Sequence, residues 1–372
     1  MSRLGIGIIG AGSIARAHAA AYAQFANECQ MVAVADVFAE RAKEFAQQLG
    51  SEVQAYDNAL RLLEREDVHL VSICTPPFTH TELTLAALQA GKHVWVEKPI
   101  APSLAECDNM ISAAEQAGRV LAGVFQNRYR PEYQRAKALM RSGELGRLVL
   151  AKADCLWWRG RNYYEVWWRG TWEKECGGVT INHAVHHIDL LLWLVGETVV
   201  SVFAEMDTFT HDVEVEDLSC AVLRFANGAI GSIVSTVSAH QNTDRIEITC
   251  EHADLLLPGM HIWAQCSSPN GFPVPDEERA ARLCSLADSV AIPAGEGHAP
   301  QLRDVLDAIA SGREPEVSAR EARRSLEVIT AIYKSASTGE VVRLPLSPDD
   351  PFYTTEGIWA GVRRAQRRQD VP

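Results

Sequence analysis

The fold of the N-terminal third of this chain is decided by the stretch Leu4-Gly5-Ile6-Gly7-Ile8-Ile9-Gly10-Ala11-Gly12-Ser13-Ile14-Ala15. Its apolar first half predicts a buried strand, and the residues from Ile14 onward predict a helix. Gly10 permits the tight turn, Gly12 lets backbone approach a pyrophosphate, and Ala15 is small enough for helix–strand packing. Because the positive end of the helix would face the phosphates, the stretch predicts a dinucleotide site rather than merely a tight turn.

An acidic residue after the second apolar run supports this prediction. Asp36 follows Met31–Ala35 and stands 21 positions after Ala15, the spacing at which such sites carry an acid for the adenosine ribose. Its carboxylate should accept hydrogen bonds from the ribose hydroxyls and repel a 2′-phosphate, which favours NAD over NADP. Arg41 lies close enough in sequence to weaken that repulsion.

Apolar runs alternate with amphipathic stretches up to residue 125. The runs are Leu4–Ile9, Met31–Ala35, His69–Cys74, His93–Val96 and Val120–Phe125, and the helix-like stretches lie near Ile14–Phe25, Ala39–Leu49, Thr81–Ala90 and Leu104–Ala117. Continuous apolar strands alternating with helices predict a doubly wound parallel sheet that is covered on both faces. Residues 1–125 are therefore expected to form an α/β Rossmann domain that binds NAD(P).

The pattern changes after residue 125, where strands cluster behind helices. Helices are predicted over Arg135–Arg141, Thr180–Val195, Pro300–Ala310 and Ala319–Ser335, and strands from Leu148 and over Leu218–Ala226, Ala229–Ala239, Arg245–Cys250 and Asp254–Leu257. Asn227-Gly228 is a strong hairpin signal, whereas residues 264–296 have the composition of a loop. We expect residues 126–372 to form an α+β domain for substrate binding and oligomerisation, with an open, mostly antiparallel sheet.

Composition narrows the classes of partner. The net charge of −13 argues against nucleic acid and against anionic membrane surfaces, which both require a basic face. No apolar run approaches the roughly 18 residues of a membrane span, and Met1-Ser2-Arg3 leads directly into a strand without a signal-peptide pattern. The nine cysteines include no CxxC pair and are expected to be reduced thiols, so we expect a cytoplasmic protein.

A second signature lies between residues 74 and 99. Cys74-Thr75-Pro76-Pro77 ends the third apolar run and is followed by His80; its two prolines hold the loop open. Glu97-Lys98-Pro99 follows the next run, so Lys98 is expected at the carboxyl edge of the sheet, where doubly wound folds bind ligands. An ammonium group there can bond a substrate hydroxyl and stabilise developing negative charge.

The predicted helix Thr180–Val195 is apolar, yet Asn182, His186 and Asp189 fall on one face of it. A polar stripe on a buried helix needs partners or a function. His183 and His187 could bind a metal, but no nearby glutamate completes a zinc-protease pattern. The histidines could also be structural. In the catalytic interpretation, His186 is the general base, because imidazole titrates near working pH.

Aromatic and basic residues are interleaved between Trp157 and Trp172, where five of the nine tryptophans lie. Aromatic faces pack on the CH faces of sugar rings, and arginine forks bond hydroxyls or carboxylates. The same residues could instead serve core or interface packing. Arg128, after Gln126-Asn127, is a further candidate substrate contact.

These residues resemble a known family, the glucose-fructose oxidoreductase and inositol dehydrogenase family (Gfo/Idh/MocA) of NAD(P)-dependent sugar dehydrogenases. The matching pieces are Gly10–Ala15, Asp36, Cys74-Thr75-Pro76, Glu97-Lys98-Pro99, and Cys176-Gly177-Gly178 followed by Asn182 to Asp189. Three positions depart from the family pattern. Pro77 stands where asparagine is frequent, Asn182 where many members have aspartate, and Cys176 replaces the first of three glycines.

The resemblance implies an oxidoreductase that moves hydride between NAD and a secondary hydroxyl of a sugar, cyclitol or sugar derivative. The physiological direction stays open, since the protein could reduce a ketosugar. Some relatives use bound NAD in a redox-elimination glycosidase cycle, and a non-catalytic NAD-binding regulator is the alternative from another class. The resemblance also implies a homodimer or homotetramer formed through the C-terminal sheet.

The motifs and the resemblance together define the expected site, which includes no metal ligand. The predicted catalytic residues are Lys98, His186 and Asn182. The predicted cofactor contacts are Gly10, Gly12, Ser13, Ile14, Asp36, Thr75, Pro76, His80, Glu97 and Lys98. The predicted substrate contacts are Arg128, Tyr163, Trp168, Arg169, Asn182 and His183.

Overall fold

The computed structural model describes residues 3–369, and the side chains of residues 3–362. The strands are β1 (Leu4–Ile9), β2 (Cys29–Ala35), β3 (Gln54–Tyr56), β4 (Leu70–Ile73), β5 (His93–Val96), β6 (Leu121–Gly123), β7 (Leu148–Trp158), β8 (Val199–Asp207), β9 (Leu218–Phe225), β10 (Ile230–Thr236), β11 (Ser238–Cys250), β12 (Asp254–Leu257), β13 (His261–Trp263), β14 (Gln265–Ser267), β15 (Pro273–Pro275) and β16 (Val342–Arg343). The helices are α1 (Ser13–Ala23), α2 (Ala39–Leu49), α3 (Ala59–Leu63), α4 (His80–Gln89), α5 (Leu104–Ala117), α6 (Pro131–Ser142), α7 (Trp172–Glu175), α8 (Val179–Asn182), α9 (Val185–Val195), α10 (Glu277–Asp288), α11 (Ala299–Ser311), α12 (Ala319–Thr338) and α13 (Thr355–Gln369). Within residues 3–369, none of these helices has both the length and the apolar character that crossing a bilayer requires.

The first compact unit is built on a six-stranded parallel sheet in the order β3-β2-β1-β4-β5-β6. This order reverses between β1 and β4, which places the ligand crevice at the carboxyl ends of these strands. On one face of the sheet, Ile8 and Val34 pack against Ala15 of α1 and Phe45 of α2. The predicted doubly wound parallel sheet is confirmed.

The other face of this sheet is covered by a segment from late in the chain. Residues 294–326 belong to the first unit together with residues 1–126, although the predicted second domain includes them. The reason is apolar burial, since Leu302 and Val305 of α11 pack in one cluster with Ile6 and Trp95 of the sheet. Periodicity predicted the helix itself but could not show which core it covers.

The second unit comprises residues 127–293 and 327–372, and contains an eight-stranded sheet in the order β13-β12-β11-β7-β10-β9-β8-β16. Among the strand pairs that the structure describes in this sheet, only β7 and β10 are parallel, so the predicted mostly antiparallel sheet is confirmed. Asn227-Gly228 joins β9 to β10 as predicted, with Arg224 opposite Ile230 and Gly228 at φ 88°.

Two local predictions for the second unit are wrong. The single helix predicted over Thr180–Val195 is two helices, because α8 ends at Asn182 and α9 begins at Val185. Within residues 264–296, predicted as loop, α10 forms with Asp276 as its N-cap, accepting a hydrogen bond from the Arg279 amide at 3.0 Å. The Asp276 cap and the acidic first turn of α10 were visible in the sequence as helix-start signals.

Candidate active site

The glycine loop of the first unit connects β1 to α1. Gly10 has φ 93°, and a Cβ there would lie 2.7 Å from the carbonyl carbon of Cys74, so no other residue fits without displacing backbone. A Cβ on Gly12 would meet none of the described atoms within 4 Å, so the loop backbone is open on that side. Helix α1 then begins at Ser13, directly after Gly12, which has no side chain. This arrangement fits a pyrophosphate lying against the first turn of α1.

Asp36, which follows β2, binds the backbone of the glycine loop between β1 and α1. Its Oδ2 accepts a hydrogen bond from the Ala11 amide at 2.8 Å, and its Oδ1 accepts one from the Phe38 amide at 2.9 Å. The Arg41 guanidinium lies 3.8 Å from Oδ2 and stacks over the Phe38 ring. A carboxylate has about four acceptor sites, so Asp36 can accept ribose hydroxyls as well.

His80 ties together the two loops that follow β4 and β5. The ring is fully buried, with Nδ1 2.7 Å from the Pro99 carbonyl oxygen and Nε2 2.9 Å from the Thr75 carbonyl oxygen. Burial lowers the pKa of His80, although its two bonds to backbone carbonyls oppose this. His80 is predicted to contact the cofactor, but both of its ring nitrogens face backbone carbonyls of the loops that carry Thr75, Pro76 and Lys98.

Lys98 is half-buried and follows β5 by two residues, while Glu97 before it points into the core. The Oε1 atom of Glu97 lies 2.9 Å from His18 Nε2, and Oε2 accepts the Lys98 backbone amide at 3.2 Å. Burial raises the pKa of Glu97, but the His18 hydrogen bond and the nearby positive charges outweigh it and lower that pKa to about 2. The carboxylate is therefore an ionised core group, and a direct cofactor contact would have to come from the backbone of Glu97.

In the second unit, Asn182 is held by the turn that precedes α8. Its Nδ2 donates hydrogen bonds to the carbonyls of Gly177 at 2.7 Å and Glu175 at 3.1 Å, and the residue is buried. The amide nitrogen is therefore committed to backbone. A substrate contact by Asn182 would have to be made through Oδ1.

The three histidines near the break between α8 and α9 differ in their surroundings. His183 Nε2 lies 3.0 Å from the Tyr163 hydroxyl, and His187 Nε2 lies 2.9 Å from Asp244 Oδ1. The Trp157 indole donates to the same Asp244 oxygen at 2.7 Å. His183 and His187 are buried, while His186 is half-buried. His186 is thus the most exposed of the three imidazoles.

Arg128 forms a buried ion pair with Asp189. Its Nε and Nη2 donate to the two oxygens of Asp189 at 2.8 and 2.6 Å, and the two residues are 4% and 1% exposed. Arg128 is predicted to contact the substrate, but its guanidinium is directed to Asp189 of α9, the helix that carries His186. The bidentate geometry makes Arg128 an anchor for that helix.

Three of the predicted substrate contacts, Tyr163, Trp168 and Arg169, form one cluster of side chains. The Arg169 guanidinium carbon lies 3.9 Å from the Tyr163 ring centroid and 4.1 Å from the Trp168 ring centroid. Its Nη1 donates to Glu175 Oε1 at 2.8 Å. Stacking on two rings and one carboxylate fixes the orientation of the guanidinium.

Two buried carboxylates that are not among the predicted site residues support this region. Glu175 Oε2 accepts the Gly170 amide at 2.6 Å, and Glu216 accepts the amides of Gly178 and Thr180 at 2.9 and 3.0 Å. Burial raises the pKa of Glu175 to about 7 against the opposing effect of Arg169, and burial also raises the pKa of Glu216. The run Glu214-Val215-Glu216-Asp217 carried no signal that two of its acids, Glu216 and Asp217, are buried.

Comparison with known proteins connects both units to one family. Residues 4–125 match an oxidoreductase family with an NAD-binding Rossmann fold, Gfo/Idh/MocA, and residues 133–256 match the C-terminal domain of that family. The chain is 31% identical over 252 residues to a myo-inositol 2-dehydrogenase of Thermotoga maritima, covering 65% of this chain and 72% of that protein. It is 30% identical over 277 residues to a levoglucosan dehydrogenase of Pseudarthrobacter phenanthrenivorans, covering 66% and 70%.

A solved structure with the same fold is the WlbA dehydrogenase of Bordetella pertussis, in complex with NADH and UDP-GlcNAcA. The TM-score is 0.80 at 28% sequence identity, covering 93% of this chain and 100% of that one. The expectations of an oxidoreductase and of a dinucleotide-binding Rossmann fold are therefore confirmed. With its family-specific motifs in both units, this chain belongs to the Gfo/Idh/MocA oxidoreductase family.

Proposed function

We propose that the protein is an NAD-dependent dehydrogenase that oxidises a secondary hydroxyl of a sugar, a cyclitol or a derivative of either. The observation that carries this proposal is Lys98, a half-buried ammonium just after β5 at the ligand edge of a dinucleotide-binding sheet. The names of the relatives support the substrate class, since they act on inositol and levoglucosan.

The roles of the residues follow from their chemistry. When bound, NAD accepts hydride from the carbon that bears the reacting hydroxyl. His186 takes the hydroxyl proton, so that the carbinol becomes a carbonyl and the imidazole becomes an imidazolium. Lys98 hydrogen-bonds the same oxygen and stabilises its developing negative charge. Asn182 orients the substrate through Oδ1.

We propose NAD rather than NADP as the cofactor. Support comes from Asp36, whose buried carboxylate sits at the end of β2 and repels a 2′-phosphate. Arg41 offsets only part of this charge, because it is half-exposed and lies 3.8 Å away. Comparing kcat/KM for the two cofactors tests the choice, and a preference for NADP would contradict it.

The cluster of Tyr163, Trp168 and Arg169 is the proposed sugar-binding surface, together with His183. Aromatic faces suit the CH faces of a pyranose or cyclitol ring. The guanidinium, which is already oriented by Glu175, suits hydroxyl or carboxylate groups on that ring.

The decisive experiment is to follow NADH absorbance with a panel of polyols, sugar acids and glycosides. NADH formation with a cyclitol or sugar, which is lost in His186→Ala but kept in a variant of the exposed His261, supports the proposal. Activity only in the direction of ketone reduction would indicate a ketosugar reductase. Release of an aglycone without net NADH would indicate a redox-elimination glycosidase, and silence across the panel would favour a non-catalytic regulator.

We also propose that the open face of the second sheet binds a further copy of this chain, giving a homodimer or homotetramer. Val222 and Phe203 face each other across β8 and β9 and are 52% and 40% exposed, and Ile230 on β10 is 41% exposed. Exposed apolar patches mark interaction sites, and most oligomers are symmetric homo-oligomers. Light scattering should give a mass above the 40.9 kDa of one chain, and Val222→Glu should lower it.

A reducing compartment such as the cytoplasm is proposed as the place of action. The nine cysteines are all free thiols, and six of them are buried. Free thiols of this kind persist where glutathione and thioredoxin keep cysteine reduced.

A further inference from the structure

A chain of buried polar side chains runs behind Lys98 in the first unit. The Tyr22 hydroxyl lies 2.8 Å from Ser72 Oγ, which lies 3.0 Å from His18 Nδ1, and His18 Nε2 lies 2.9 Å from Glu97 Oε1. These four side chains come from α1, β4 and the end of β5, and all are buried. None of them was used in the proposed chemistry.

The direction of each hydrogen bond follows from the donor inventory. An ionised carboxylate only accepts, so His18 Nε2 must carry a proton and donate to Glu97. Ser72 Oγ lies between His18 Nδ1 and the Tyr22 hydroxyl, so it can donate a hydrogen bond to one of them and accept one from the other. Every donor in the chain has one acceptor, which is the condition for a rigid buried polar network.

The network ends at Lys98. Glu97 Oε2 accepts the Lys98 backbone amide at 3.2 Å, so the residue that His18 holds also holds the backbone of Lys98. The Glu97 anion also interacts with the charge of Lys98, and this interaction contributes to the low pKa of Glu97. The titratable groups that face Glu97 or interact with its charge are His18, Cys74, His80, Lys98 and His298.

The same cluster also has the composition of a metal site. Ligand atoms of His18, Glu97 and His298 lie within 4.8 Å of one another. The short His18–Glu97 contact is a hydrogen-bond distance, whereas His298 Nε2 stays 3.8 Å from Glu97 Oε1. A divalent cation here would bury two positive charges against the single negative charge of Glu97, which is costly. The geometry therefore favours the hydrogen-bonded network.

We propose that His18 and Glu97 are a positioning pair for Lys98, with His18 fixing the Glu97 anion and Glu97 fixing both the backbone and the charge of Lys98. This inference rests on the proposed function in taking Lys98 as the group that contacts the substrate. It assigns His18 no contact with the substrate or the cofactor.

The first test compares two variants that differ in where they place a donor. A glutamine amide can put its nitrogen where His18 Nε2 lies, whereas an asparagine amide reaches only the Nδ1 position. His18→Asn should lower kcat by about tenfold or more while NAD affinity changes by less than about twofold, and His18→Gln should stay within about threefold of wild type. Equal losses of kcat in the two variants, or losses that follow NAD affinity, would overturn the proposal.

The second test needs no substrate, so it stands even if the polyol panel is silent. Acetic anhydride labels the neutral amine of a lysine, and peptide mass spectrometry gives the rate for Lys98 relative to the exposed Lys43. At pH 8 the ratio should rise about threefold or more in Glu97→Gln and His18→Asn, because the anion that favours the ammonium is removed or loosened, and not in His18→Gln. Unchanged ratios would overturn the proposal, as would a zinc ion that co-purifies with wild type and is lost in His18→Asn.

Discussion

Arg169 and Glu175 meet at 2.8 Å, Nη1 to Oε1, and they respond differently to burial. The arginine side chain is 17% exposed and stacked between two rings, while the Glu175 side chain is 1% exposed. Burial disfavours the ionised carboxylate of Glu175, so its pKa is raised even though Arg169 opposes the shift.

Stability should therefore fall as pH rises through the range set by Glu175. Its pKa is about 7 in the folded protein and near 4.5 unfolded, so the folded state binds the extra proton between these values. The contribution is present below about pH 4.5 and is lost by about pH 7, with an upper size of about 3 kcal/mol. The difference in unfolding free energy between wild type and Glu175→Gln, measured by urea titration from pH 5 to 8, isolates this group. A difference that does not vary with pH would contradict the assignment.

Lys98→Ala should abolish most turnover without abolishing cofactor binding. Loss of the charge that stabilises the alkoxide should lower kcat by about 100-fold or more. NAD binding, followed by quenching of protein fluorescence, should persist because the glycine loop and Asp36 are untouched. Lys43→Ala, at an exposed lysine of the same unit, is the matched control and should behave as wild type. Comparable activity of Lys98→Ala and Lys43→Ala would show that Lys98 does not take part in the reaction.

The cofactor preference should shift in opposite directions in two neighbouring variants. Asp36→Ala removes the charge that repels a 2′-phosphate and should lower the NAD-to-NADP ratio of kcat/KM by about tenfold or more. Arg41→Ala removes the cation 3.8 Å from that carboxylate and should raise the ratio. Both ratios come from initial rates with each cofactor. A shift in the same direction in both variants would show that charge at this position does not set the preference.

The ion pair of Arg128 and Asp189 should prove structural. Arg128→Met leaves Asp189 charged and buried, which should cost about 3–5 kcal/mol of unfolding free energy. The double variant Arg128→Met with Asp189→Leu should recover much of that loss, and its substrate KM should stay within about threefold of wild type. A large rise of the substrate KM in a stably folded double variant would instead indicate that Arg128 contacts the substrate.

The sequence predicted well those strands and turns whose ends are marked by a change from apolar to polar residues or by a turn dipeptide. β1 and β5 have the predicted bounds, and the Asn227-Gly228 hairpin forms as expected. The three residues of β3 are too few for a periodic signal, and the break after Asn182 lies inside a uniformly apolar stretch. Both were therefore missed.

The candidate site was predicted less well because its partners are remote in sequence. Arg128 meets Asp189 across 61 positions, and His80 meets the Pro99 carbonyl across 19. A motif gives the residue type at a position, but it does not give the hydrogen-bond or ion-pair partner of that side chain. The partners decide whether such a residue faces a ligand or the core, and only the fold brings them together.

Because residues 294–326 belong to the first unit, recombination between relatives must exchange two separate segments to transfer that unit. The cofactor-binding unit is discontinuous in sequence, because residues 127–293 lie between its two segments. A chimera that exchanged this unit with a relative by one crossover near residue 126 would combine Trp95 and Ile6 with a foreign α11. Such hybrids should fold only when the donor also supplies the segment that bears Leu302 and Val305, so exchange of cofactor halves within the family requires paired crossovers.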